Sequence, residues 1–145
     1  MRTNNPFISV IMNCHNGEKF LKKSIQSVLR QSYYNWELIF WDNCSSDNSA
    51  SIIKSFNDNR IRYFKSKRFT NLYDARNQAI KKSKGEFICF LDTDDWWIKE
   101  KLKIQTNFIK KNKSKNIKFI FSNLYIYDNV KKTSKKYFNY KISSG

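Results

Sequence analysis

The sequence predicts an α/β fold: an open, mostly parallel sheet with helices on both faces. Two observations carry that prediction. Short apolar runs alternate with amphipathic stretches along the chain, and three polar clusters, at 13–16, 42–43 and 92–95, each follow directly on an apolar run. Alternating strand and helix patterns imply parallel strands joined by crossover helices. Polar residues just past the strands stand where open α/β sheets hold their ligands. The chain has 145 residues, which suits one core, and its 40% hydrophobic and 17% aromatic content is too apolar for a disordered chain.

The elements follow in order. Residues Phe7 to Met12 read as a strand and Asn16-Gly17 as a turn. From Glu18 to Gln31 the apolar residues Leu21, Ile25, Val28 and Leu29 recur at helical spacing, with Asn16 as a candidate cap. Trp36 to Trp41 is a second strand, and the polar run Asp42 to Asp47 opens a helix reaching about Phe56. Ile61 to Phe64 is a short third strand. Asp74 to Lys82 reads as a helix with Leu72, Ala75, Ala79 and Ile80 on its inner side, ended by Gly85. Phe87 to Leu91 is continuously apolar, as a strand buried on both faces would be. A helix from about Lys99 to Lys111 and a last strand near Phe119 to Ile126 complete the pattern, and the chain from Val130 onward reads as loosely ordered. One domain over 1–145 is expected, with a core over 6–127 and a Lys-rich tail over 128–145.

Composition excludes several classes. The only glycines are Gly17, Gly85 and Gly145, so neither a G-x-G-x-x-G turn nor a P-loop is possible. One histidine and no G-x-S-x-G elbow argue against a Ser-His-Asp hydrolase. Cys14, Cys44 and Cys89 are odd in number and widely spaced, a poor zinc site and a poor disulfide framework. No segment approaches the length of a membrane span, and the first apolar run is too short for a signal-peptide core, so a cytoplasmic protein with reduced thiols is expected. The formal net charge is +16, and thirteen Lys against two acids between Lys99 and Lys141 supply +11 of it. Nucleic acid, an acidic membrane surface or a phosphorylated substrate would each suit that stretch, and so would a merely solvated basic surface.

The chemistry concentrates in the three clusters. Asp92, Asp94 and Asp95 lie within four residues, and carboxylates at i and i+2 can converge on one hard cation, where an ordinary acidic loop is the alternative. Such a cation can bridge diphosphate oxygens and neutralise a leaving nucleoside diphosphate. Asp42 and Asn43 offer groups for reading a base or ribose, or an Asx-type turn into the next helix. Arg76 can reach a phosphate or form a surface ion pair with Asp74.

These segments resemble family-2 glycosyltransferases. The stretch from Ile8 to Leu21 is similar to that family's opening, and Ser27 to Tyr33 followed by Trp36 to Ile39 is similar to what comes next. Asp42 to Ser49 resembles the D-[DN]-x-S-x-D-x-[ST] segment, and Ala75 to Ile80 and Lys84 to Trp97 resemble the block ending in D-x-D-D. The likeness runs from about Phe7 to Phe121 in the family's order and spacing. It implies a GT-A fold of the nucleotide-diphospho-sugar transferase type, a nucleotide-sugar donor, often a UDP-sugar, and Mn2+ or Mg2+. By position it implies donor contacts from Asn13, His15, Glu18, Asp42, Asn43, Arg76 and Asp92, and metal contacts from Asp94 and Asp95. Asn13 would lie beside the uracil and ribose, Asp42 and Asn43 would read the base, and Arg76 would face the diphosphate.

The reaction so implied is an inverting transfer to an acceptor hydroxyl, with a base that deprotonates that hydroxyl. The acceptor would be a glycan or a lipid-linked sugar, in the cytoplasm or peripherally at the inner face of an anionic membrane, with no specific nucleic acid. Asn13 stands where the family commonly has Pro or Thr, and Asn43 replaces a frequent second Asp. The family's base lies in a later segment, often with an E-D pair. After Asp95 this chain has only Glu100 and Asp128, neither in a matching motif. The expectation is therefore a donor-binding half, truncated before the base. The alternatives are a non-catalytic nucleotide-sugar-binding module and a basic surface-binding protein acting through its lysines.

Overall fold

The computed structural model describes residues 5–112, 117, 119–120, 122, 124–128 and 130–136. In chain order the elements are β1 (Ile8–Cys14), α1 (Glu18–Leu29), β2 (Trp36–Asp42), α2 (Ser49–Lys54), β3 (Ile61–Lys65), α3 (Leu72–Ile80), β4 (Phe87–Phe90), α4 (Lys101–Lys111), β5 (Tyr125–Asp128) and β6 (Thr133–Lys136). They divide between two compact units, Met1–Lys113 and Ser114–Gly145.

The first unit holds four parallel strands in the order β3-β2-β1-β4. Side chains alternate across such a sheet, and that alternation sorts the core into two layers. Val10, Met12, Leu38 and Phe40 point to one face, where Leu21, Ile25 and Val28 of α1, Ile53 of α2 and Leu102 of α4 pack on them. Ile11, Ile39 and Trp41 point to the other, under Ala75 and Ala79 of α3. The small alanines let α3 lie close to the sheet. Helices on both faces of a parallel sheet are thus the observed architecture.

Several local expectations are corrected. Among the described residues β4 is an edge strand of its sheet, and only Phe87 and Cys89 pack on the α1 side; Ile88 and Phe90 are 39% and 46% exposed, because α3 covers β1 and β2 instead. Leu72 is exposed for the same reason: α3 turns Ala75 and Ala79 inward. Asn16 does not cap α1; it takes a left-handed φ of 54° and Gly17 occupies the cap position.

In the second unit β5 and β6 form an antiparallel hairpin, Tyr125 opposite Lys136 and Asp128 opposite Thr133. Of the strand expected near Phe119 to Ile126, only Tyr125 and Ile126 are in β5, and Phe121 and Asn123 lie outside the described residues. The end expected to be loose from Val130 instead contributes β6, since Thr133–Lys136 find backbone partners in β5; residues 137–145 lie outside the described residues. Among the described residues no helix is long and apolar enough to cross a membrane.

One buried charge ties the amino ends of the strands together. Glu37 on β2 accepts hydrogen bonds from Ser9 Oγ (2.7 Å), Arg62 Nη1 (2.7 Å) and the Lys84 N–H (2.6 Å). The Gly85 N–H in turn donates to Ser9 Oγ at 2.8 Å. A Cβ on Gly85 would stand 2.4 Å from the Ser9 nitrogen, so only glycine fits there. Burial pushes the Glu37 carboxyl up, but the bonds from Ser9, Arg62 and Lys84 and the Arg62 charge outweigh it and leave the pKa lowered. Ionised Glu37 therefore stabilises the fold fully above its unfolded value of about 4.3, and that contribution is lost as pH falls through the lower folded value. Glu37→Gln should cost about 1–3 kcal/mol in urea denaturation at neutral pH. The gap between variant and parent should close as the pH is taken below about 4.

Candidate functional site

The parallel register lines up the carboxyl ends of the strands. Cys14 stands opposite Asp42, which stands opposite Lys65, and the Leu91 N–H donates to the Ile11 carbonyl just beyond β4. Three polar segments predicted from sequence (13–16, 42–43 and 92–95) consequently leave the sheet side by side along one edge.

Asp42 is the most constrained of them. It is 0% exposed, its Oδ1 accepts from the Ser45 N–H (2.7 Å) and its Oδ2 from the Tyr63 hydroxyl (2.7 Å). An ionised carboxylate without water must be bonded in this way. The Asx-type turn is realised, and the carboxylate expected to read a base also holds the loop after β2. Burial, together with the bond to Asp42 and its charge, pushes the Tyr63 phenol up to about 12.

The loops after β1 and β2 then cap each other's helices. Asp47 Oδ2 accepts from the Glu18 N–H at the start of α1 (2.9 Å), while Glu18 Oε2 accepts from the Asn48 N–H at the start of α2 (2.9 Å). Ser49 Oγ accepts from the Gly17 N–H at 3.0 Å, and Asn16 Oδ1 from the Ser46 N–H at 2.8 Å. Each acid lies where a helix amino end favours negative charge. Glu18, expected at the donor, is placed here as a cap.

Asn43 fixes a third segment. Its Oδ1 accepts from the Thr70 N–H and hydroxyl (both 3.1 Å), and its Nδ2 donates to the Thr70 carbonyl at 2.7 Å. This holds the loop between β3 and α3 against the end of β2. Phe69 on that loop lies with its ring centroid 4.6 Å from that of His15, whose Nδ1 is 3.0 Å from the Asn43 carbonyl oxygen.

On the side of β4, Arg76 of α3 pairs with Asp92 (2.7 Å) and not with Asp74, which Asn71 engages at the start of α3. The Arg76 guanidinium also lies 5.2 Å from the centroid of Phe90. The chain turns at Asp92, with the Asp95 N–H donating to the Asp92 carbonyl at 3.2 Å. Asp95 is pushed above the ordinary carboxylate range by burial and by the charges of Asp94 and Asp92. Among the described residues no three His, Cys, Asp or Glu side chains form a metal-holding group. With Asp92 drawn to Arg76, the carboxylates left for a cation are Asp94 and Asp95. A set of one or two carboxylates, completed by phosphate oxygens and water, is what Mg2+ and similar hard ions take.

Asn13 marks the middle of the edge. Both polar atoms of its carboxamide are buried and bonded to nothing, as is the indole nitrogen of Trp41, its register partner on β2. Buried polar atoms are nearly always satisfied, so this pair suits a polar ligand atom or a water. The thiols of Cys14 and Cys89 are pushed up by burial and make no thiolate nucleophile at neutral pH.

The profile of glycosyl transferase family 2 matches residues 9–142. The chain belongs to that family. It is 42% identical over 122 residues to the Escherichia coli UDP-Glc:alpha-D-GlcNAc-diphosphoundecaprenol beta-1,3-glucosyltransferase WfgD, covering 84% of this chain and 47% of that protein. It is 35% identical over 106 residues to the putative teichuronic acid biosynthesis glycosyltransferase TuaG of Bacillus subtilis, covering 72% and 42%. The chain thus spans less than half the length of these relatives. The fold resembles that of S. aureus TarS in complex with UDP-GlcNAc, with a TM-score of 0.69, 28% identity, and 74% of this chain and 32% of that one covered. The family-2 glycosyltransferase fold expected from the motifs is the one observed.

Sequence reasoning missed Tyr63 and Thr70. A tyrosine inside a short apolar strand needs a partner for its hydroxyl, which was the available signal for Tyr63; Thr70 lies in a loop with none. Tyr63→Phe would leave Asp42 Oδ2 buried without its donor. It should lower stability by about 1–3 kcal/mol in thermal or urea unfolding, with the sheet intact by circular dichroism.

Proposed function

We propose that this family-2 chain is a donor-binding half: it holds a nucleotide-sugar, with UDP as the nucleotide, along the carboxyl edge of its sheet. The observation that carries this reading is the buried, unbonded carboxamide of Asn13 in the middle of that edge, between the Asp42 loop and the Arg76–Asp92 pair. WfgD is named for a UDP-glucose donor and TarS is seen with UDP-GlcNAc, which supports the choice of donor class.

In this reading Asn13 bonds the base or ribose, and His15 with Phe69 walls the same end. Asn43 acts through the Thr70 loop, and Asp42 and Glu18 act by holding the loops rather than by touching the donor. Arg76 can swing its guanidinium from Asp92 to the diphosphate, where a planar cation suits phosphate oxygens. Asp94 and Asp95 would hold Mn2+ or Mg2+, whose charge would offset the charge on the departing nucleoside diphosphate.

Transfer also requires a base to take the proton of an acceptor hydroxyl, on a glycan or a lipid-linked sugar, as that oxygen attacks the anomeric carbon with inversion. The acids after Asp95 do not suit that task. Glu100 stands at the start of α4, where the Ser32 N–H donates to the adjacent Lys99 carbonyl at the amino ends of the strands and away from the carboxyl edge, and Asp128 Oδ1 accepts from the Val130 and Lys131 N–H groups in the hairpin turn. This favours a second reading, in which the chain alone binds donor and does not turn it over, and transfer needs residues beyond it. The setting is the cytoplasmic face of a membrane, where lipid-linked acceptors are met.

Calorimetric titration of UDP into the chain, with and without Mn2+, tests the donor site. Binding should require the metal and should weaken by at least about tenfold in Asp94→Asn, the loss of one charged contact. Equal binding without metal, or in the variant, would refute the assignment of Asp94.

A further inference from the structure

We propose that the outer face of α4 is a docking surface for an anionic lipid membrane. The helix buries Leu102, Thr106 and Ile109, so its opposite face should be polar. It is not: Ile104 and Phe108, one turn apart on that face, are 59% and 52% exposed, and Ile98 just before the helix is exposed as well. Lys99, Lys103 and Lys111 are exposed on or beside this helix, while Lys101 lies over the Trp97 ring and Lys110 near that of Tyr33. From 99 to 112 five lysines stand against the single acid Glu100.

Exposed aliphatic and aromatic groups with exposed lysines on the same helix match a surface that inserts shallowly between lipid headgroups while its cations meet anionic phosphates. Nucleic acid would use the lysines but has no place for an isoleucine pair. Trp96, which follows directly on Asp95, has the Lys23 ammonium of α1 3.1 Å from its ring centroid, an aromatic and cationic pairing suited to a membrane interface. The inference rests on the reading that the acceptor is lipid-linked.

Co-sedimentation of the full chain with vesicles of phosphatidylcholine plus phosphatidylglycerol, against phosphatidylcholine alone, tests it. The chain should bind the mixed vesicles only. Ile104→Ser with Phe108→Ser keeps every charge and should weaken that binding by at least about tenfold, with UDP affinity unchanged. Lys103→Gln with Lys111→Gln should weaken it similarly. Unchanged affinity in the serine variant would assign binding to lysines acting alone and overturn the proposal. So would failure to bind mixed vesicles, or a preference for single-stranded DNA over them. Vesicle binding that depends on Ile104 and Phe108 in a chain that does not bind UDP would uphold the docking surface and refute the donor reading.

Discussion

Burial of one carboxylate organises the upper edge of this molecule. Asp42 ends the central strand β2 with no exposed surface, and a charge so placed is tolerated only if fixed donors replace water. Tyr63 and the Ser45 N–H are those donors, one from β3 and one from the loop after β2. The loop is therefore not free to choose its path. It must turn at Asp42, pass Cys44 with a left-handed φ of 62°, and arrive with Asp47 at the start of α1.

From that turn the other contacts follow in sequence. Asp47 and Glu18 cap each other's helices, which locks the loop after β1 to the loop after β2. Asn43, adjacent to the buried acid, grips Thr70 and brings the loop before α3 to the same edge. Arg76 on α3 then meets Asp92 at the end of β4. Four strands, three loops and one ion pair are thus linked through side chains, and the Asn13 carboxamide remains at the centre with its hydrogen-bonding groups unused.

Much of the fold was legible because strand and helix periodicities are local. Val10, Met12, Leu38 and Phe40, and Leu21, Ile25 and Val28, lie on the faces their spacing implies. The motif likeness identified the family. What escaped was non-local. The apolar run from Phe87 reads as a doubly buried strand, yet whether a strand lies at an edge depends on partners far away in the chain, and Ile88 and Phe90 are exposed. Asp42 and Glu18 were legible as important residues, but their loop-holding bonds to Tyr63, Asp47 and Asn48 were not, because these partners stand 21 to 30 residues away in the chain. Asn16 looked like a cap by type, and only its backbone angle removed it from that part.

The account claims that Asp42 and Glu18 build the site while Asn13 and Arg76 meet the donor. A crystal structure of the chain with UDP and Mn2+ tests this most directly. It should show Asn13 hydrogen-bonded to the uridine and Arg76 turned to the diphosphate, with Asp42 still held by Tyr63 and Ser45. A nucleotide bound away from the carboxyl edge, or Asp42 released from Tyr63 to bind the base, would contradict it.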